Sequence, residues 1–457
     1  MPVVRALRLL SALLFAVLPA LGSGAAAAPA LPTLPRSAIT AAELAVVIAE
    51  GDPLSEAVGL AYQRARGIPE SHMVRVALPA GRDAIGATEF AAVKAAIDAR
   101  LGPKVQATLL TFTQPSRVQG ERCAASITAA MAFGFDARLC GQCAPTLPSP
   151  YFDSDSTRPY TDLRIRPSMM LGARTLAEAE ALIARGLAAD GSQPTGTGYA
   201  LRTSDAARSV RWPDLAQLPA GWAQAPGLAW QYLDHSAANG ASAPASAPGN
   251  ALADRSDVLF YFTGLARVDK LDTLRFVPGA VADHLTSTGG ALPDGHGQMT
   301  ALAWLAAGAT GSYGTVEEPC NHVQKFPRAT VLVDHYLRGA TLIEAYWKSV
   351  AWPGQGLFVG EPLARPWPDA PSAQISDGEL LLHTRSLRRG ATYRVAWQRS
   401  GASPWQVLSA PAASRTAGQP QPVTWRVPLG PLAESGGRLG LIGPCPLRPA
   451  QACLLGP

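Results

Sequence analysis

Lysine is scarce in this chain: five residues against 34 arginines in a total of 457. The arginines are scattered, and no basic run is interleaved with aromatics, which excludes a nucleic-acid surface. Charged residues make up only 16% of the chain and the formal charge is +5, so there is no acidic or basic tail. Beyond the N-terminal segment no apolar run reaches the length of a membrane-spanning helix. No phosphate-cradling P-loop, no dinucleotide fingerprint and no G-x-S-x-G elbow is present. These absences remove nucleotide-dependent enzymes, transcription factors and the common serine hydrolases.

The N-terminus reads as an export signal. Arg5 and Arg8 precede an apolar stretch from Leu9 to Leu21, and small residues follow from Gly22 to Ala28. Residues 1–28 are therefore expected to be removed, and no membrane anchor is expected afterwards. The remaining chain is expected in the periplasm or outside the cell. Six cysteines in an exported chain point to disulfides. Cys445 and Cys453 form a natural local pair, while Cys123, Cys140, Cys143 and Cys320 leave their connectivity open. A zinc site is disfavoured with a single C-x-x-C, and neither metal nor cofactor is expected.

The mature chain is too long for one core. Leu44–Ile48, Met73–Leu78 and Val105–Phe112 read as strands, separated by helical patterns at Pro53–Arg66 and Ala87–Leu101. That alternation specifies a parallel sheet covered by helices. Ala124–Phe133 reads as a short helical piece. Thr175 with Glu178 reads as a helix start and Gly186 as its end. A low-complexity connector spans 236–255, and a second α/β unit follows over 256–368. In it Val258–Phe262 and Ser312–Val316 read as strands, and Pro278 as the first turn of a helix over Ala280–Thr286. From residue 369 to 457 short alternating runs separated by Gly, Pro and Ser read as a β-sandwich. The first α/β half is assigned to 29–235.

Gly308–Pro327, GATGSYGTVEEPCNHVQKFP, concentrates the chemistry. Cys320 with His322 reads as a nucleophile and base, with Glu317, Glu318 and Lys325 beside them. The competing reading is a bridged cysteine in a tied-down loop. His284 and Ser287, three apart on the expected helix, offer a dyad on one face. Asp153, Asp155 and Asp162 carry oxygen ligands for calcium but lack an EF-hand pattern, and read better as a solvated loop.

Four strings, YQRARGIPESHMV (62–74), PGAVADHLTSTGG (278–290), AAGATGSYGTVEEPCNHVQKFP (306–327) and GATLIEAYWKSVAWPGQGLFVGEPLARPW (339–367), carry a resemblance. They resemble an exported bacterial family found in genomes with the exosortase/PEP-CTERM protein-sorting system. More distantly, the order of elements is similar to the gingipain-like cysteine peptidases. That resemblance implies a caspase-like three-layer α/β body in two halves, followed by a sandwich. In those peptidases one strand ends in His-Gly and the next at the nucleophilic cysteine. Here the first ends at Thr263-Gly264, and Arg275–Gly279 holds no cysteine. The resemblance thus implies a pseudo-peptidase acting in binding or assembly, with exported surface proteins or polysaccharide as partners. The alternative is a hydrolase with a relocated Cys/His or Ser/His site.

Overall fold

In a computed structural model, residues 27–237, 249–408, 412–414 and 422–455 are described. Residues 1–26 of the expected export signal and residues 238–248 of the expected 236–255 connector lie outside them. Ten strands form one sheet: β1 Leu44–Ala49, β2 Met73–Val76, β3 Ala107–Leu110, β4 Ser168–Met170 and β5 Gly196–Arg202 come first. β6 Leu228–Asp234, β7 Arg255–Gly264, β8 Leu274–Leu285, β9 Gly311–Thr315 and β10 Gly356–Gly360 follow. Their spatial order is β2-β1-β3-β4-β10-β9-β8-β7-β5-β6. Every neighbouring pair is parallel except β9 with β10, where Gly311 faces Gly360 and Thr315 faces Gly356.

The sheet is therefore two similar halves meeting at one antiparallel seam. Read inward from each edge, both halves run second strand, first, third, fourth, then a seam strand. The mixed body with separate antiparallel sheets at the C-terminus matches the fold class expected from sequence. β5 and β6 belong to the second half, which therefore draws on residues before the 236–255 connector as well as after it.

The helices Pro53–Arg66 and Ala87–Arg100 form where their periodicity specifies them. Asp52 caps the first, accepting from the Leu54 and Ser55 amides. Ala329–Leu337 and Leu342–Ser349 cover the seam, and Trp347 stacks on Phe358 of β10 with ring centroids 4.4 Å apart. Three local expectations are corrected. Ala124–Ser126 is a strand that leads into a shorter helix, Ile127–Phe133. Gly186 lies inside the helix Leu176–Ala189 rather than at its end. A Cβ there would meet the Glu361 carboxylate at 2.5 Å, so glycine makes room for a buried acid.

The third correction matters most for function: Leu274–Leu285 is a strand throughout, not a helix from Ala280. Pro278 falls where the register with β7 shifts, between the pairs Val258–Phe276 and Phe260–Val281. At such an irregularity the missing N–H breaks no ladder bond.

Beyond the body, Ser372–Ser376, Glu379–Thr384 and Val423–Pro428 form one antiparallel sheet. Thr392–Gln398, Arg438–Cys445 and Arg448–Leu455 anchor the facing one. Leu380, Leu382, Trp397, Val427 and Leu441 fill the space between them.

Glu361, just after β10, ties the seam to the first helix. Its carboxylate is fully buried and accepts from Arg66 Nε at 2.9 Å, Arg66 Nη2 at 2.6 Å and the Tyr62 hydroxyl at 2.7 Å. Removing Glu361 leaves the buried Arg66 guanidinium with only the partly exposed Asp190 as counter-charge. Glu361→Ala is expected to cost about 3–5 kcal/mol. Urea unfolding of the disulfide-intact protein checks this; a loss below ~1 kcal/mol would show the group to be solvated.

Candidate functional site

In the register of β7 and β8, Phe262 faces Asp283, Thr263 faces His284 and Gly264 faces Leu285. Successive side chains on a strand point to opposite faces, so Asp283 and His284 serve different cores. Asp283 is buried with Arg211, whose Nη2 lies 2.7 Å from Oδ1. The same guanidinium donates from Nη2 to the Thr263 carbonyl at 2.7 Å and from Nη1 to the Pro327 carbonyl at 3.2 Å. Burial pushes the Asp283 carboxyl above the usual range, and Arg211 opposes this only in part. Burial, together with the nearby Asp283 charge, also pushes the Tyr313 and Tyr346 hydroxyls well upward.

His284 is a core residue. Its Nε2 lies 3.1 Å from the Met299 carbonyl, and the Trp304 indole donates to Nδ1 at 2.9 Å. Those partners fix the neutral tautomer that carries its proton on Nε2. Burial, the dominant cause, lowers its pKa from 6.5 to about 3. Both ring nitrogens are therefore engaged, and neither serves Ser287. Because residues 280–285 are a strand, the shared helical face expected for His284 and Ser287 does not exist.

Ser287 stands half-buried just past β8. Its amide donates to Gln298 Oε1 at 2.9 Å, and its carbonyl accepts from the Thr315 hydroxyl at 2.9 Å. Gly289 and Gly290 lie against β9, where the Gly290 amide donates to the Thr315 carbonyl at 2.8 Å. The segment at the end of β8 is thus fastened to the sheet on both sides.

Gly308–Pro327 does gather its ionisable residues, around the Cys140–Cys143 turn. Cys320 is bonded to Cys143, and Cys123 to Cys140, so the thiol that a cysteine nucleophile requires is absent. Cys445 is bonded to Cys453. Cys320 adopts a left-handed φ of 52°, and its amide donates to Glu318 Oε1 at 2.7 Å. Glu317 Oε1 accepts from the Ala124 amide at 3.2 Å, and burial pushes its carboxyl upward. A ring nitrogen of His322 meets the Cys143 carbonyl at 2.5 Å, and Lys325 Nζ donates to the Gln142 carbonyl. Burial lowers the Lys325 pKa to about 8, with Glu317 and Glu318 holding it back from falling further. These side chains fasten one loop to another and do not meet His284 or Ser287.

The acidic residues at 153–162 also have structural partners, which corrects the solvated-loop expectation. Asp153 and Asp155 pair with Arg388 of the sandwich, and Asp155 also with Arg338 at 2.9 Å. Among the described residues no group of three or more His, Cys, Asp or Glu is placed to hold a metal ion.

Beneath residues 323–328, beside the ends of β7 and β8, lies a cavity of about 410 Å³. Arg211, Val210, Pro213, Asp214 and Gln217 line one side and Val323, Gln324, Phe326, Pro327 and Arg328 the other, with Phe152, Ser349 and Ala351 beneath. Sequence reasoning missed Arg211 and Asp214, which sit in SVRWPDL with no motif around them. A more polar cavity of about 340 Å³ opens at the ends of β1 and β3, lined by Glu50, Asp52, Thr113 and Gln114. The first cavity can bind; it brings no nucleophile and base together.

No family model and no curated protein matches the chain. One solved structure, described as a protease, aligns with 92% of this chain and 98% of its own. Its TM-score is 0.41 and its identity 8%, a distant likeness of outline. Among the described residues no helix is long and apolar enough to cross a membrane.

The folded protein holds His284 neutral where the unfolded chain takes up a proton. Stability therefore falls as pH drops below 6.5 and stops falling near 3, when both states are protonated. The 6.5-to-3 difference sets an upper bound of about 5 kcal/mol on this loss. His284→Gln is expected to flatten the pH dependence of urea stability between pH 6 and 4. An unchanged slope would show that His284 is solvated in the folded state.

Proposed function

We propose that this chain is an exported, non-catalytic binding or assembly factor: a pseudo-peptidase serving exosortase-type surface protein sorting. One observation carries the reading. The candidate cysteine and both candidate histidines are engaged elsewhere: Cys320 in a disulfide, His322 on a backbone carbonyl, His284 in the core. Glu317 and Lys325 are likewise bonded to backbone groups of facing segments. A hydrolase needs nucleophile and base within hydrogen-bond reach, with the base oriented by a third group. Ser287 has no such base beside it. The cavity adjoining these strand ends favours binding, since apolar concave surfaces with a few polar groups are where ligands sit. Export and the sorting context rest on the N-terminal signal pattern and on the family resemblance of residues 62–74, 278–290, 306–327 and 339–367. Exported surface proteins are accordingly the favoured partners, with polysaccharide second.

The test is genetic complementation in a host that lacks its own copy, reading surface display of sorted proteins. Ser287→Ala, and Cys143→Ser paired with Cys320→Ser, are expected to restore display as well as the unaltered chain when expressed at equal folded levels. Loss of rescue by Ser287→Ala, with the protein folded and exported, would contradict a non-catalytic role.

A further inference from the structure

The 410 Å³ cavity has a distribution of groups that selects a ligand chemistry. Its walls are apolar: Phe152, Val210, Phe326 and Pro327 enclose it, and Val323 stands at its mouth with 41% of its surface exposed. Two arginines line the cavity, and they are not equivalent. Arg211 is buried, and its charge is compensated by Asp283 at 2.7 Å. Arg328 stands at the rim with 55% of its side chain exposed. Its Nε lies 3.3 Å from Asp214 Oδ1. Asp214 also accepts from the Thr330 amide at 3.2 Å and from the Thr330 hydroxyl. Among the described residues the two Nη groups of Arg328 make no hydrogen bond. They are a planar fork of donors facing outward, the geometry that takes a carboxylate.

Resting on the binding reading above, we propose that this cavity takes an extended polypeptide segment. Its apolar side chains enter between Phe152 and Phe326, and an adjacent carboxylate pairs with Arg328. Size agrees: a benzene-sized group occupies a cavity of roughly 150 Å³, so this one accommodates two such side chains. Gln324, exposed at the mouth, is placed to meet a peptide backbone, while the Gln217 side-chain amide donates to the Pro213 carbonyl at 3.0 Å. The free Nη fork of Arg328, whose Nε is held by Asp214, stands beside an apolar floor and complements a segment with one acidic residue next to one or two large apolar ones.

The experiment uses the full mature chain and ligand-observed NMR. The probe is the N-acetylated, C-amidated pentapeptide Ala-Leu-Phe-Glu-Ala. Two controls replace Glu by Gln, or Leu-Phe by Ser-Ser, and decanoate is run as a separate probe. The parent peptide is expected to bind saturably, the Ser-Ser peptide not at all, and the Gln peptide about threefold to fivefold more weakly, the worth of an exposed ion pair. Arg328→Ala should weaken the parent by that same factor and leave the Gln peptide unchanged. Val323→Asp should abolish binding; Ala351→Trp, which fills the cavity from another wall, should do so independently if the first variant folds poorly. Equal binding of the parent and Ser-Ser peptides would overturn the proposal. So would indifference of the parent to Arg328→Ala, or binding of decanoate without any peptide. Peptide recovered cleaved would contradict the non-catalytic reading while leaving the cavity as its site. Peptide recovered intact and unbound would remove the cavity proposal alone.

Discussion

Backbone packing between two glycine segments, Gly289-Gly290 and Gly314, is the constraint on which the rest of this molecule depends. A Cβ on Gly314 would lie 2.6 Å from the Gly290 amide nitrogen, and one on Gly290 would lie 2.9 Å from Leu357. No side chain fits there, so the chain leaving β8 lies directly on the seam strand β9. With Thr315 bonded to the carbonyls of Thr286 and Ser287, the segment is held as part of the sheet. A catalytic loop at the end of a strand must leave its nucleophile exposed and beside a base. Here the same position is used to close the junction between two half-sheets. That choice also sets the cavity: with the end of β8 fixed, Arg211 can bridge Asp283, Thr263 and Pro327 and hold residues 326–328 above the strand ends.

The disulfides extend this logic. Cys143–Cys320 joins positions 177 apart in sequence, one in each half of the body. Closing so long a loop reduces the freedom of the unfolded chain considerably. Around it the charged groups of Gly308–Pro327 bond mainly to backbone of the facing turn. A second network couples the body to the sandwich: Arg388 reaches Asp153 and Asp155, while Arg338 donates to the Ser386 carbonyl at 3.2 Å. Burial raises the Asp153 carboxyl. For Asp155 burial acts in the same direction, but Arg338 and Arg388 outweigh it and hold it low. The segment around Ala30 also joins the sandwich, for the Ala30 amide bonds to the Gly437 carbonyl.

Much of the body was legible because its elements obey simple periods. Pro53–Arg66 and Ala87–Arg100 fall on the residues their patterns specify, to within one residue. β8 was misread because PGAVADHL is a short run in which an initial proline is as consistent with a helix start as with a strand irregularity. Register with β7 decided it, and register is not written locally. Gly186 was misread for a related reason: its role is to admit Glu361, 175 residues later in the numbering. At the site, the residue types in Gly308–Pro327 marked a segment whose polar groups are tied to other parts of the fold. Their chemistry depended on partners across the fold. Cys320 finds Cys143, and His322 and Lys325 find the carbonyls of residues 143 and 142. Arg211, which organises the cavity, had no sequence signal, because scattered arginines are the background of this chain.

The most direct test of a protein that binds and does not cut is exposure of the mature chain to a proteome-derived peptide library, with new termini counted by mass spectrometry. The account predicts none above those formed by a heat-unfolded control, over a range of pH and with disulfides intact. A reproducible set of new termini that disappears in Ser287→Ala would contradict it.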